Sequence, residues 1–370
     1  MFWYNTKVHI NFVELRNFRN YSYEKFILSK NINILLGDNA QGKTNLLESI
    51  YFSCLGKSFK TKNEKELIKY NSINAHFEVN FEKNNGNNNI LVELKDNQKY
   101  VKLNEINVTK LSSLIGNLAC VFFSPNELKL VKEAPEDRRK FMDIALSQLN
   151  REYYNSLIKY NKILKERNKL LKSTDNENVI KETLPIWDYQ LVKVASLIII
   201  ERLEFVKKLN IYADKEHKYL SDDKENLLVH YHSCDNFNDK TKEEIEKILL
   251  IKLDENKEKD LKLKYTSIGP HRDDLKIYIN NMEVKSFGSQ GQQRTALLSI
   301  KLAEVEIFKE KFEEYPILLL DDVFSELDEN RKLRLFEKVN KMQTIITTTK
   351  FDLPNTKTNI IKIENGKIVI

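Results

Sequence analysis

The chain has 370 residues, 41% of them hydrophobic, 31% charged and 10% aromatic, which suits two or so packed domains and excludes a disordered polymer. Sixty Lys and Arg against 54 Asp and Glu leave a formal charge of +6, a mild excess that admits a nucleic-acid partner without demanding one. Apolar runs such as 195–200 and 317–320 fall short of the roughly 20 residues of a bilayer span, residues 1–7 lack a signal-peptide pattern, and Cys54, Cys120 and Cys234 form no CxxC pair. We therefore expect a cytoplasmic protein with reduced thiols and no membrane partner.

In chain order, residues 8–15 alternate as a strand, and 31–36 read as a short buried strand. That strand feeds Gly37-Asp38-Asn39-Ala40-Gln41-Gly42-Lys43-Thr44, after which residues 45–52 have helical spacing. Residues 77–81 and 90–94 pair as a hairpin across the Asn-rich stretch 84–89. From about Asp137 the pattern turns helical: Leu146, Leu149, Tyr153, Leu157, Tyr160, Leu164 and Leu171 recur at three- and four-residue steps. A polar break at 173–178 precedes a second helical stretch from about Trp187 to Tyr219. Two arms of about 30 residues, roughly 45 Å each, would make an antiparallel helical hairpin. The α/β character returns after Lys264. Residues 289–294 open a long helix through about Phe312, 317–320 is a buried strand ending in Asp321-Asp322, 344–349 is another, and 360–369 closes as a hairpin. The expected fold class is α/β: a nucleotide-binding lobe of residues 1–135 and 265–370, with an inserted, mainly helical second lobe at 136–264.

Nine glycines are few for this length, and five of them fall in three short stretches: 37–44, 268–272 and 288–292. The first stretch fits G-x-x-x-x-G-K-[ST]. Without Cβ atoms at Gly37 and Gly42, successive N–H groups of 37–44 can point at phosphate oxygens, Lys43 reaches the β/γ-phosphates and Thr44 offers a hydroxyl to Mg²⁺. The following helix adds its N-terminus. An apolar strand ending in two carboxylates supplies what such a loop lacks: Asp321 as the Mg²⁺ partner, directly or through water, and Asp322 to orient or deprotonate the attacking water. A pair of solvated strand-end acids is the plainer alternative.

Ser289-Gln290-Gly291-Gln292 is similar to the signature loop of ABC-type ATPases. A serine hydroxyl, a glycine N–H and a helix N-terminus form a second anion site, although the tetrapeptide alone would read as an N-cap. The resemblance implies that such a loop lies too far from its own phosphate loop to close on the same nucleotide. Two chains then face each other head to tail, with Ser289, Gly291 and Gln292 of each meeting the other's ATP. Ser325-Glu326-Leu327-Asp328 matches the D-loop that lies along such a dimer seam, which brings Asp328 into the nucleotide set. With residues 15–21, 122–131, 135–143, 266–274 and 287–295, these blocks resemble the RecF family across essentially the whole chain. The resemblance implies an ABC/SMC-type ATPase head (a P-loop NTPase) that dimerises on ATP and binds duplex DNA near single-strand gaps. It also implies partnership with RecR and RecO in loading recombinase during recombinational repair and replication restart.

Asp322 stands where most ABC-type ATPases carry glutamate. One methylene less holds the carboxylate back, which predicts slow turnover and a timed clamp more than a motor. No histidine stands near Thr347-Thr348-Thr349, so γ-phosphate sensing there falls to a hydroxyl. Lys57, Lys60 and Lys62 flank Phe59 in a basic run that reads equally as a solvated loop or a phosphate-contacting patch; the resemblance tips it toward DNA, duplex, gapped or at an ssDNA–dsDNA junction. His271, beside Arg272 in the Gly269-Pro270 turn, reads as packing between lobes or at the nucleotide side. Two other readings are an SMC-like structural tether, for which too few residues separate Thr44 from Ser289, and a phosphotransferase, which would need neither signature loop nor D-loop.

Overall fold

The computed structural model describes residues 8–83, 86–96, 98–173, 177–350 and 358–369. The start at 1–7, Asn84 and Asn85 of the Asn-rich turn and residues 174–176 of the polar break lie outside them. The chain divides into two compact units, Met1–Glu127 with Lys301–Ile370, and Leu128–Ile300.

The first unit opens with β1 (His9–Phe18) and β2 (Tyr21–Ile27), an antiparallel pair, then β3 (Ile32–Leu36) and α1 (Lys43–Leu55). Strands β4 (Ala75–Lys83), β5 (Gly86–Lys95), β6 (Gln98–Leu103) and β7 (Ile106–Asn107) complete a sheet of order β2-β1-β4-β5-β6-β7. The expected hairpin is present, with Phe77 opposite Val92 and Val79 opposite Ile90. Alternation along β4 puts Phe77, Val79 and Phe81 in the core, as a sheet with one buried face requires. β8 (Cys120–Phe123) joins a second sheet.

The second unit holds α2 (Lys129–Lys132), α3 (Pro135–Leu149), α4 (Arg151–Leu171), α5 (Glu177–Ser221), β9 (Leu227–His232), α6 (Lys242–Glu255), α7 (Lys257–Leu263), β10 (Asp274–Ile279), β11 (Met282–Glu283) and α8 (Val284–Phe287). The single apolar period running from Leu146 to Leu171 is two helices, because the Asn150 side chain accepts from the N–H groups of Glu152 and Tyr153 and starts α4 afresh. α5 has 45 residues, about 67 Å, half again the expected arm. By length and composition α5 could cross a membrane. It buries Leu191, Ile198, Ile199, Phe205 and Leu209 within the unit, and with them Arg202, Glu216 and His217.

Helix α9 (Gln290–Phe312) leads back to β12 (Ile317–Asp321), α10 (Glu329–Val339), β13 (Thr344–Thr348), β14 (Thr358–Glu364) and β15 (Lys367–Val369). The second sheet runs β15-β14-β3-β13-β12-β8, parallel except for β15. Residues 317–320 and all of β13 are buried, as in strands covered on both faces. β3 and β12 flank β13, so the loop after β3 and the acids ending β12 emerge at the same carboxyl edge of the sheet. That edge is where ligands bind in open parallel sheets.

The units divide at 127/128 and 300/301, where the sequence reading set limits at 135 and 265. Residues 266–274 are bonded into the second unit: Arg167 donates to Thr266 (2.9 Å), Arg202 to the carbonyl of Pro270 (2.6 Å), and Arg138 to both oxygens of Asp274 (2.6 and 3.0 Å). β10 also pairs along its length with β9, so a three-stranded sheet accompanies the helices.

Candidate nucleotide site

The loop between β3 and α1 bends through left-handed backbone at Ala40 (φ 65°) and Gly42 (φ 115°). A Cβ at Gly42 would lie 2.7–2.9 Å from side-chain atoms of Asn20 and Tyr21, so both conformation and space require glycine. Asn20 donates to the carbonyl of Gln41 (2.9 Å) and accepts from Asn45 (2.8 Å); the backbone N–H groups of Asn365 and Gly366 reach Gln41 at 2.5 and 3.1 Å. Arg19 forks onto both oxygens of Glu48 in α1, at 2.8 and 2.6 Å. The block at 15–21 thus has a physical task, with Arg19 and Asn20 holding the loop and the helix that follows it. Glu48 is fully buried and was not foreseen; its one signal was a lone carboxylate in the apolar stretch 46–52.

Lys43 donates its ammonium hydrogens to the carbonyls of Gly37 and Asp38, the latter at 2.8 Å. Burial lowers its pKa from the ordinary lysine value, while the carboxylates of Asp322, Asp321 and Asp38 oppose that shift. Thr44 donates to Asp321 Oδ1 at 2.8 Å, and Thr347 donates to the same oxygen at 2.7 Å. Asp322 leaves the strand through left-handed backbone (φ 53°), and its N–H donates to the Thr347 hydroxyl oxygen at 3.0 Å. This turn lets two consecutive carboxylates line one cleft, although neighbours on a regular strand point to opposite faces. Asp322 Oδ1 is buried and has no hydrogen-bond partner among the described residues. Thr347 gives its hydroxyl hydrogen to Asp321, and Thr348 gives its own to the carbonyl of Lys350 (2.7 Å), so neither is free for phosphate sensing here.

The cleft, about 320 Å³, is lined by Asp38, Asn39, Ala40, Gln41, Gly42, Lys43 and Thr44 together with Asp321, Asp322 and Thr347. Ser124, Pro125 and Asn126 also line it. They belong to a block that resembles the family, yet the sequence offered no chemistry to single them out. Lys60 is a further wall residue. It donates to Asn45 (2.7 Å), stands 4.0 Å from Glu48, and has its pKa lowered, first by burial. Lys57 and Lys62 do not line the cleft, although all three residues are exposed. Asp328, which the resemblance sets along a dimer seam, opens α10. It is the N-cap of α10, accepting from Arg331 N–H (3.0 Å) and pairing with its guanidinium (2.7 Å), and it is not part of the cleft wall.

In the second unit, Ser289 precedes α9 and is exposed. Ser289 N–H donates to Gln292 Oε1 (2.9 Å) and Gln292 N–H to Ser289 Oγ (3.2 Å), a reciprocal cap. Gly291 follows on the first turn of α9 and is half-buried. His271 lies within this unit, its Nε2 donating to the carbonyl of Thr266 (3.0 Å) and its Nδ1 accepting from Tyr160 (2.6 Å). A Cβ at Gly269 would meet the Tyr160 hydroxyl at 2.5 Å, which is why glycine precedes this turn.

Residues 9–368 match the family described as the RecF/RecN/SMC N terminal domain. The chain is 43% identical over 369 residues to the DNA replication and repair protein RecF of Clostridium tetani, covering 98% of this chain and 100% of that one. It is 44% identical over 367 residues to the protein of the same name from Clostridium botulinum, covering 98% and 99%. The solved recombination mediator protein RecF-ATP of the RecFOR pathway superposes with a TM-score of 0.90 at 33% identity, over 98% of this chain and 97% of that one. The Smc head domain from Pyrococcus furiosus, with a TM-score of 0.57 at 17% identity over 98% and 96%, shares the fold alone. A phosphate loop and a carboxylate pair on one sheet edge, a capped serine loop opening a long helix, and these whole-length similarities place the chain in the RecF family of SMC-like ATPases.

Proposed function

We propose that the chain is an ATP-switched DNA-binding protein of recombinational repair and replication restart, a slow ATPase whose head-to-tail dimer clamps gapped or duplex DNA and helps load recombinase. The observation that carries this reading is the junction of Thr44, Asp321 and Asp322 at the mouth of the phosphate loop. Thr44 and Asp321 offer the hard oxygen donors that Mg²⁺ takes, and they already share a hydrogen bond. Mg²⁺, when bound with ATP, supplies charge neutralisation at the β- and γ-phosphates.

The chain's own residues supply the rest. Lys43 exchanges its two carbonyl acceptors for phosphate oxygens, regaining charge-assisted bonds to compensate for its burial. The N–H groups of 38–44 and the start of α1 hold the phosphates. The unpartnered oxygen of Asp322 is an acceptor ready for the attacking water. Thr347 ties the two acids together, and Lys60 adds a cation to the cleft wall. Exposed Ser289 suits contact with a second chain's nucleotide. The solved relative named for the RecFOR pathway supports RecO and RecR as partners.

Static light scattering tests the reading. Apo protein should be monomeric, ATP·Mg²⁺ should double the mass, and gapped duplex should add to the doubled species. A mass that stays monomeric at saturating ATP·Mg²⁺ would return the chain to the phosphotransferase reading.

A further inference from the structure

The signature loop is tied to the end of the longest helix through side chains that the ATPase chemistry does not use. Gln292 Oε1 accepts from Ser289 N–H, which fixes its amide orientation, and its Nε2 donates to Glu225 Oε1 at 2.8 Å. The other Glu225 oxygen lies 3.1 Å from Nε2 of His217, in the last turn of α5. His217 Nδ1 lies 3.1 Å from Ser299 Oγ, whose hydroxyl hydrogen goes to the carbonyl of Thr295 at 2.7 Å. A carboxylate can only accept, so Nε2 of His217 donates to Glu225. The imidazole is fully buried and the carboxylate 21% exposed, where such a charge-assisted contact is stiff and geometrically demanding.

We infer that Glu225 and His217 are positioning residues for the signature loop: Glu225 holds Gln292, and through it the Ser289 cap, while His217 holds Glu225 to the end of α5. The contacts run from α5 through residue 225 to the first turn of α9, and return to α9 at Ser299. A displacement of the α5 end relative to α9 therefore pulls directly on the loop that presents Ser289. The helical unit can in this way set whether the loop is competent for the partner chain's ATP. This rests on the trans-acting role of Ser289 proposed above.

The test is a double-mutant cycle on the full chain, with ATP·Mg²⁺ as the probe and the ATP-dependent dimer dissociation constant as the readout. Glu225→Ala should weaken dimerisation about tenfold, as expected when residues in one hydrogen-bonded network are uncoupled. ATP affinity of the monomer should not change. Combined with Gln292→Ala it should cause no further loss, because Glu225 acts only through Gln292. Additive losses, or wild-type dimerisation by Glu225→Ala, overturn the inference. Should Glu225→Ala fail to fold, Glu225→Met takes its place in the cycle with the same readings, since it is of similar size but has no oxygen for Gln292 or His217. If Ser289→Arg and Gln292→Ala both dimerise as wild type, the trans-signature reading itself falls and this inference with it.

Discussion

His271 allows a prediction whose size follows from the structure. Burial holds its imidazole at about 4 against an ordinary 6.5; the Thr266 carbonyl opposes this, and the Arg272 and Arg139 charges add to it. In the unfolded chain the ring charges near 6.5, so between pH 6.5 and 4 the unfolded state takes the proton first. The stability owed to a neutral ring is complete above pH 6.5 and is lost as pH falls toward 4. The interval from 6.5 to about 4 corresponds to about 3 kcal/mol. His271→Gln keeps a donor and an acceptor but cannot titrate. Asp273 and Asp188, both raised first by burial, act in the opposite direction, so the informative quantity is the difference between wild type and variant. Urea unfolding followed by circular dichroism at pH 7.5 and pH 4.5 measures it. The variant should be the less stable protein at pH 7.5, and the gap should close by roughly 2–3 kcal/mol at pH 4.5. A gap that is the same at both pH values refutes the assignment of a buried neutral ring.

Three further outcomes are expected. Lys43→Met should abolish ATP binding in an equilibrium titration while leaving the melting temperature of the apo protein close to wild type; unchanged affinity would contradict the phosphate-loop assignment. Replacing Lys57 and Lys62 with Ala should flatten the slope of log K against log[salt] for duplex DNA by about one unit per lost phosphate contact. Lys60→Ala should instead weaken ATP binding, and a flattened salt slope with unchanged ATP affinity would return Lys60 to the DNA group. Arg19→Met takes the guanidinium from the buried carboxylate of Glu48, leaving it only Ser58 and the more distant Lys60, and should cost about 3 kcal/mol in chemical denaturation, against less than about 1 if solvent already screens the pair.

Periodicity and glycine placement made much of this molecule readable. The strand at 32–36, the hairpin at 77–94, the helix opened by residue 290 and the buried strands ending at Asp321 and Thr348 all stand where spacing put them. They were legible because the same residues that set local pattern also pack the core. Side-chain networks between distant segments were not. Nothing near Glu48 announces that Arg19 lies opposite it, and nothing near Thr347 announces that its hydroxyl bridges two acids 25 and 26 residues away. Lys60 looked like its neighbours Lys57 and Lys62 because a basic run carries no record of which lysine a tertiary turn sets beside the cleft. The 45-residue α5 exceeded its estimate because its apolar spacing begins later than its hydrogen-bonded backbone. Asp328 drew its expected role across a dimer from the resemblance; within one chain it is the N-cap of α10.

The central claim is that one chain's Ser289 completes the ATP site of another. Light scattering of purified Ser289→Arg with ATP·Mg²⁺, alongside a direct ATP titration, tests it most directly. If the exposed serine loop acts only across the dimer, the variant should bind ATP with near wild-type affinity yet remain monomeric and fail to hydrolyse it. A Ser289→Arg protein that dimerises with ATP and hydrolyses it at the wild-type rate would contradict the account.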